Sequence, residues 1–99
     1  MEKIPFLSMF EFDLAKSAAN KEKHSIDFAE AQALWADRGR IVQLARSDAE
    51  ERRLIVARLG EICWCAIYTM REETIRIISV RRARKEEVQA YERYKDDWT

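Results

Sequence analysis

The sequence predicts an α+β domain in which helices lie against an antiparallel sheet. Three observations predict it. Apolar residues recur at helical spacing before residue 38 and alternate after it. Short turn sequences, Gly60-Glu61 and Arg71-Glu72-Glu73, divide the middle of the chain into consecutive strands. Helical spacing returns after Ala83, where Val88 and Tyr91 fall on one side.

Met9-Phe10-Glu11-Phe12 alternates and reads as a short strand. Asp13 follows as an N-cap for a helix over 14–23, whose small side (Leu14, Ala15, Ala18, Ala19) is expected close to the sheet. Asp27-x-x-Glu30 is an aspartate form of the capping box ahead of Phe28, Ala31, Leu34 and Trp35, and Asp37-Arg38-Gly39 offers this second helix its stop. Ile41-Val42-Gln43-Leu44 begins a strand, and 51–59 continues the pattern with Leu54 and Val56 on one face and Ile55 on the other. Two turns then lead into strands over 62–70 and 74–80, where Ile75 and Ile77 are expected on one face and Ile78 and Val80 on the other. A helix over 84–95 closes the chain, with Val88, Tyr91 and Lys95 stacked and Tyr94 and Trp98 on its flank. The expected architecture is a single domain over 1–99. It has an antiparallel sheet of three to four main strands plus a short N-terminal strand, two N-terminal helices and one C-terminal helix. All helices are expected on one face, leaving the other for a ligand or partner.

Composition agrees with a packed domain. The chain is 47% hydrophobic with two glycines and one proline, which excludes a linker-rich or disordered protein. No apolar run approaches the ~20 residues of a membrane span. The first seven residues are too short in their apolar part and too mixed in charge for a signal peptide, so a soluble cytoplasmic protein without membrane contact is expected. Cys63 and Cys65 flank Trp64 on a strand and should share one face as small buried hydrophobes. Net charge is zero but segregated. Residues 1–37 carry four Lys/Arg against seven Asp/Glu, 38–85 carry twelve against six, and 86–99 carry two against five. A basic centre between acidic ends suits either local binding of a polyanion or an internal salt-bridge network.

Three clusters could carry chemistry. Lys16, Asn20, Lys23 and His24 fall at i, i+4, i+7 and i+8, one stripe of the first helix and equally a solvated polar face. Glu50-Glu51-Arg52-Arg53 opens a strand, with Glu51 and Arg53 on one face and Glu50 and Arg52 on the other; an arginine and a carboxylate near one phosphate form a workable ribonuclease pair. Arg76, Ser79, Arg81 and Arg82 lie along the last strand, with Arg84 and Lys85 beside the start of the last helix, where guanidinium groups would reinforce a helix N-terminus toward anions. An arginine inside a strand apolar on both faces must pair with a carboxylate or open into a cleft. Tyr68 and Tyr91 could stack on a base or line the core rim. No glycine-rich phosphate loop, metal-ligand cluster or nucleophile elbow is present, so catalysis without metal or cofactor is expected. Transesterification of RNA by its own 2′-hydroxyl asks least of such residues.

Over roughly residues 10–94 the chain resembles the BrnT toxins, the ribonuclease halves of BrnT–BrnA toxin–antitoxin pairs. The resemblance is carried by Phe10 to Asp13, Lys16, Asn20, Lys23-His24, Phe28 with Glu30-Ala31, Glu50-Glu51-Arg52, Tyr68-Thr69, Arg76 to Ser79, Arg81 and Tyr91-Glu92. It implies a RelE-like fold, translation-inhibiting RNA cleavage and neutralisation by a BrnA antitoxin. BrnA carries a ribbon-helix-helix part, so DNA would be met only through the assembled pair; a homodimer of the toxin is left open. The resemblance carries over Lys23, His24, Glu51, Arg52, Arg76 and Arg81 as the active-site set, with Lys16, Asn20, Tyr68, Arg82 and Tyr91 as RNA-binding neighbours. On that reading Arg76 and Arg81 hold the phosphate, Arg52 stabilises its transition-state charge, and Glu51 or His24 moves the proton. The chain departs from the family pattern at Ser25, where glycine is usual, and at Arg84, where Ser or Thr usually caps the last helix. Arg53 replaces a common aromatic and Ala57 a common glycine. Two other readings stay open: a toxin-like module that only binds its antitoxin, and a small DNA-associated regulator.

Overall fold

The computed structural model describes residues 9–45 and 51–98, with side chains as far as Tyr94. The elements are β1 (Phe10–Glu11), α1 (Leu14–His24), α2 (Phe28–Ala31) continued by a 3₁₀ turn (Gln32–Ala36), β2 (Ile41–Ala45), β3 (Arg52–Leu59), β4 (Ile62–Arg71), β5 (Thr74–Arg82) and α3 (Lys85–Trp98). Glu50 and the side chains of Lys95 and Trp98 lie outside the described residues. The expected α+β class and element order hold, with corrections in how the pieces meet.

The sheet is five-stranded in the order β1-β5-β4-β3-β2, and it is mixed rather than antiparallel. β2 through β5 form the expected meander. β1 instead runs parallel to β5, pairing Phe10 with Ile75 and Glu11 with Arg76. A parallel neighbour needs a long crossover, and everything from α1 to β4 supplies it.

The helices occupy both faces, not one. Phe28, Ala31 and Leu34 of the α2 region pack with Ile55, Ala57, Trp64, Ala66, Tyr68, Ile75, Ile77 and Val80. On the opposite face Tyr91 of α3 packs with Val56 and Cys65, flanked by Leu54 and Cys63. Cys63 and Cys65 do share that face, and both are free thiols; burial pushes Cys65 up to about 11, which keeps it protonated and inert.

The expected second helix is cut short. Asp27 caps α2 with a full capping box, yet the helix tightens to 3₁₀ after four residues and stops at Asp37. Asp37 explains the stop. Its Oδ1 accepts from Gly39 N–H at 2.9 Å, and its Oδ2 accepts from Arg58 N–H at 2.8 Å and Tyr91 O–H at 2.7 Å. One carboxylate thereby ties the turn, β3 and α3 together.

α1 reverses its expected orientation. Leu14, Ala15, Ala18 and Ala19 face outward, Leu14 being 80% exposed, while Ser17 and Asn20 are buried. Backbone hydrogen bonding overrides hydrophobicity here. Ser17 Oγ accepts from Phe28 N–H at 2.9 Å. The Asn20 amide donates to the carbonyls of Ile26 and Val80 at 2.8 and 2.9 Å and accepts from Val80 N–H at 3.1 Å. β1 pairs with β5 only at Ile75 and Arg76, so the outer backbone of Val80 lies beyond its reach, and Asn20 satisfies it. After α1, Ser25 adopts the left-handed conformation for which glycine is usual, at φ 69°. A serine there bears a strain of about 1 kcal/mol that glycine would avoid.

A β-bulge breaks the parity expected for β5. Ile67 faces Ser79 and Tyr68 faces Ile77, leaving Ile78 as the extra residue. Ile75, Ile77 and Val80 therefore all enter the same core, and Arg76, Ser79 and Arg81 all point to the other face. The last strand is apolar on one face, not two.

Candidate functional site

The face opposite α1 and α2 is covered only in part. α3 packs on it, with Glu87 meeting Arg81 of β5 and Tyr94 lining a cavity of about 600 Å³ beside Ile41, Val42 and Gln43 of β2. The rows of the sheet beyond α3 remain half-exposed.

Cross-strand register orders that uncovered area. Ala45 pairs with Arg52, Thr69 with Arg76, and Arg76 with Glu11. Arg53 faces Tyr68, and continuing that register one residue sets Arg52 opposite Thr69. One row thus runs Ala45, Arg52, Thr69, Arg76, Glu11 across all five strands. Strands sit about 4.8 Å apart, so Arg52 and Arg76 stand about 10 Å apart at the backbone, a gap their side chains can close over one phosphate. The next row is Gln43, Leu54, Ile67, Ser79, an apolar floor with a hydroxyl at its end.

Within the row, Arg76 Nη1 donates to Glu11 Oε2 at 2.7 Å, and Arg71 approaches the same oxygen at 3.9 Å. This is the carboxylate partner that an arginine in β5 required. Arg52 has its Nε buried without a hydrogen-bond partner among the described residues. Thr69, 6% exposed, donates through Oγ1 to the Glu51 carbonyl at 3.0 Å and so fixes the start of β3 beside Arg52. Among the described residues no three His, Cys, Asp or Glu side chains converge as a metal cage would require.

The other expected site residues divide into three groups. Lys16, Lys23 and His24 come together with Ser79 and Ile78 around a shallow cavity of about 250 Å³ between α1 and β5, on the flank of the arginine row. Arg81 lies on the arginine face but is engaged at the α3 end: Nη1 and Nη2 donate to the two Glu87 oxygens at 2.8 and 2.9 Å. That bidentate pairing, with a further bond from Arg84 N–H, holds the Glu87 carboxyl down at about 2. It also supplies one half of a capping box: Glu87 reaches back to accept from Arg84 N–H, the half that does not need a Ser or Thr at that position.

The third group is turned away from the row. Asn20 lines the same cavity as Lys16, Lys23 and His24, but its amide is committed to Ile26 and Val80. Tyr91 is 1% exposed and donates to Asp37; burial, then that bond, push its hydroxyl up to about 12. Tyr68 is 4% exposed on the α2 face, edge-on to Trp35 at 5.1 Å, and burial raises its hydroxyl as well. Arg82 is at the far end of β5, its guanidinium 5.9 Å from the centre of the Trp64 ring. Glu51 is turned toward Arg53 at 3.3 Å, the side occupied by Tyr68 rather than by Arg76. Glu11 and Thr69 are the residues that sequence reasoning passed over. Both stood inside the quoted motifs, but only the parallel pairing of β1 reveals that Glu11 meets Arg76.

Comparison with known proteins places the chain in a family. No curated protein matches the chain. The family model for the ribonuclease toxin BrnT of type II toxin–antitoxin systems matches residues 12–87, a span holding α1, the β2–β5 meander and both arginines of the row. The chain belongs to the BrnT family of type II toxin–antitoxin ribonuclease toxins.

Proposed function

We propose that this protein is a metal-independent endoribonuclease that inhibits translation in the cytoplasm and is held in check by a BrnA-type ribbon-helix-helix antitoxin. The observation that carries this reading is the placement of Arg52 and Arg76 in one row of a half-open sheet face, two strands apart. Two guanidiniums at that separation suit a single phosphodiester. Arg76 spends Nη1 on Glu11 and keeps Nη2 and Nε for a phosphate. Arg52 brings a second, half-buried guanidinium on the same face. As phosphorus becomes five-coordinate, charge grows on its equatorial oxygens, and fixed cations there stabilise the transition state more than the ground state. Lys16, Lys23 and His24 would guide the RNA backbone along the flank beside Ser79. Arg81, tied at both terminal nitrogens to Glu87, serves this reading as a strut between β5 and α3. The RelE-like arrangement implied by the family resemblance and an attack by the 2′-hydroxyl complete the proposal.

The test is inducible expression of the full chain beside Arg76→Ala. Wild type is expected to arrest growth with loss of RNA. The variant, folded by circular dichroism, is expected to permit growth. Wild-type protein that accumulates in soluble form without harm would favour the antitoxin-binding module and overturn the enzyme.

A further inference from the structure

The arginine row ends in a carboxylate, and that carboxylate has a free oxygen. Glu11 Oε2 meets Arg76 at 2.7 Å, whereas Oε1 has no hydrogen bond to any described residue. The side chain is 38% exposed, so a ligand held by Arg76 can reach it. The other acids near the row are occupied or turned away. Asp13 caps α1 by accepting from Lys16 N–H at 2.9 Å. Glu51 pairs with Arg53 on the α2 side of the sheet.

From this juxtaposition, and resting on the ribonuclease reading above, we infer that Glu11 is the catalytic residue that takes the proton from the attacking 2′-hydroxyl. Arg76 sits between the two partners: one edge of its guanidinium fixes Glu11, and the remaining nitrogens hold the scissile phosphate. A nucleotide bound so has its ribose over the β1 end of the row. The 2′-oxygen gives its proton to Glu11 and its electron pair to phosphorus. The bond from phosphorus to the 5′-oxygen breaks, and that oxygen takes a proton from solvent water. The products are a 2′,3′-cyclic phosphate and a 5′-hydroxyl end. The two-residue strand β1 then has a chemical purpose, since its pairing with β5 is what delivers a base to the arginine. The charged groups facing Glu11 are Arg76 on β5 and Arg71 on β4; Asp13, at the start of α1 beside Lys16, lies within electrostatic reach of Arg76, and Arg52 stands along the row beyond Thr69.

Glu11→Gln preserves an acceptor for Arg76 and removes the base. The full-length protein and the Glu11→Gln and Glu51→Gln variants would be compared by initial rates on a labelled messenger RNA, naked and ribosome-bound, from acid to mildly alkaline pH. Glu11→Gln is expected to lower kcat by 100-fold or more, with KM within about threefold, and to abolish the fall in rate toward acid. The acid limb is expected to survive in Glu51→Gln. A raised KM with kcat and the acid limb intact in Glu11→Gln would reduce Glu11 to a positioning residue and overturn the assignment. So would loss of the acid limb in Glu51→Gln alone. If wild type cuts neither substrate, the ribonuclease reading itself fails, and this assignment falls with it.

Discussion

Asn20 supplies three hydrogen bonds from one side chain, closing backbone groups on Ile26 and Val80 that nothing else described reaches. Replacing it with alanine would leave buried polar groups unpaired, at roughly 1–3 kcal/mol each where water cannot enter. Asn20→Ala should therefore lose about 2–4 kcal/mol, read as a lower urea midpoint at unchanged slope. Glu87 is the second residue with outsized weight. Its ordinary carboxyl value of 4.5 falls to about 2, first through its bond to Arg81. A group depressed on folding stabilises the native state above its unfolded value and loses that contribution as the pH falls through the folded one. The 4.5-to-2 interval is worth on the order of 3 kcal/mol. Glu87→Gln should cost about that much at neutral pH. Its deficit against wild type should shrink steadily from about pH 4.5 down to 2, measured by denaturant titration at each pH.

At the scale of elements, the bulge at Ile78 decides which way β5 presents its chemistry. With it, Ile75, Ile77 and Val80 share the core while Arg76 and Arg81 share the opposite face. Deleting Ile78 would restore strict alternation and make one end of the strand turn its arginine inward. The deletion variant is expected not to fold, judged by loss of the cooperative thermal transition. Arg76→Ala, which keeps the bulge, should melt within a few degrees of wild type. This element also shows where sequence reading reached its limit. Alternation and turn residues located β3, β4 and β5 almost to the residue, because half-buried strands leave a period of two. A bulge leaves no such trace in one sequence, so alternation alone puts the two halves of β5 on opposite faces. α1 misled for a related reason. Its alanines and Leu14 look like a packing side, yet Ser17 and Asn20 go inside because β5 has open backbone to satisfy.

For the whole molecule, the charge pattern was legible and its meaning was not. The basic middle of the chain does become one sheet, but its cations take separate employment. Arg81 ties down α3, Arg82 lies over Trp64, Arg53 pairs with Glu51, and Arg52 and Arg76 remain beside half-open surface. Sorting them required knowing which strand neighbours which. The family motifs mix residues of the proposed site, such as Arg52 and Arg76, with Asn20 and Tyr91, which hold the fold together. The acid partner of Arg76 was hidden for the opposite reason, being distant in sequence and brought near by a parallel pairing of only two residues.

The amide clamp on Val80 has a last consequence, concerning how copies of the molecule can join. A sheet propagates by recruiting strands at its borders. Here the β5 side is spoken for, by two residues of β1 and then by Asn20 acting as a counterfeit strand. Among the described residues only β2 offers a longer border, with Val42 48% and Leu44 69% exposed beside it. A body with one sticky border can meet a twin across a twofold axis, and both borders are then consumed. Judged from the described residues, strand-mediated association is expected to stop at a pair, so sedimentation of concentrated protein should show dimers and no longer polymers.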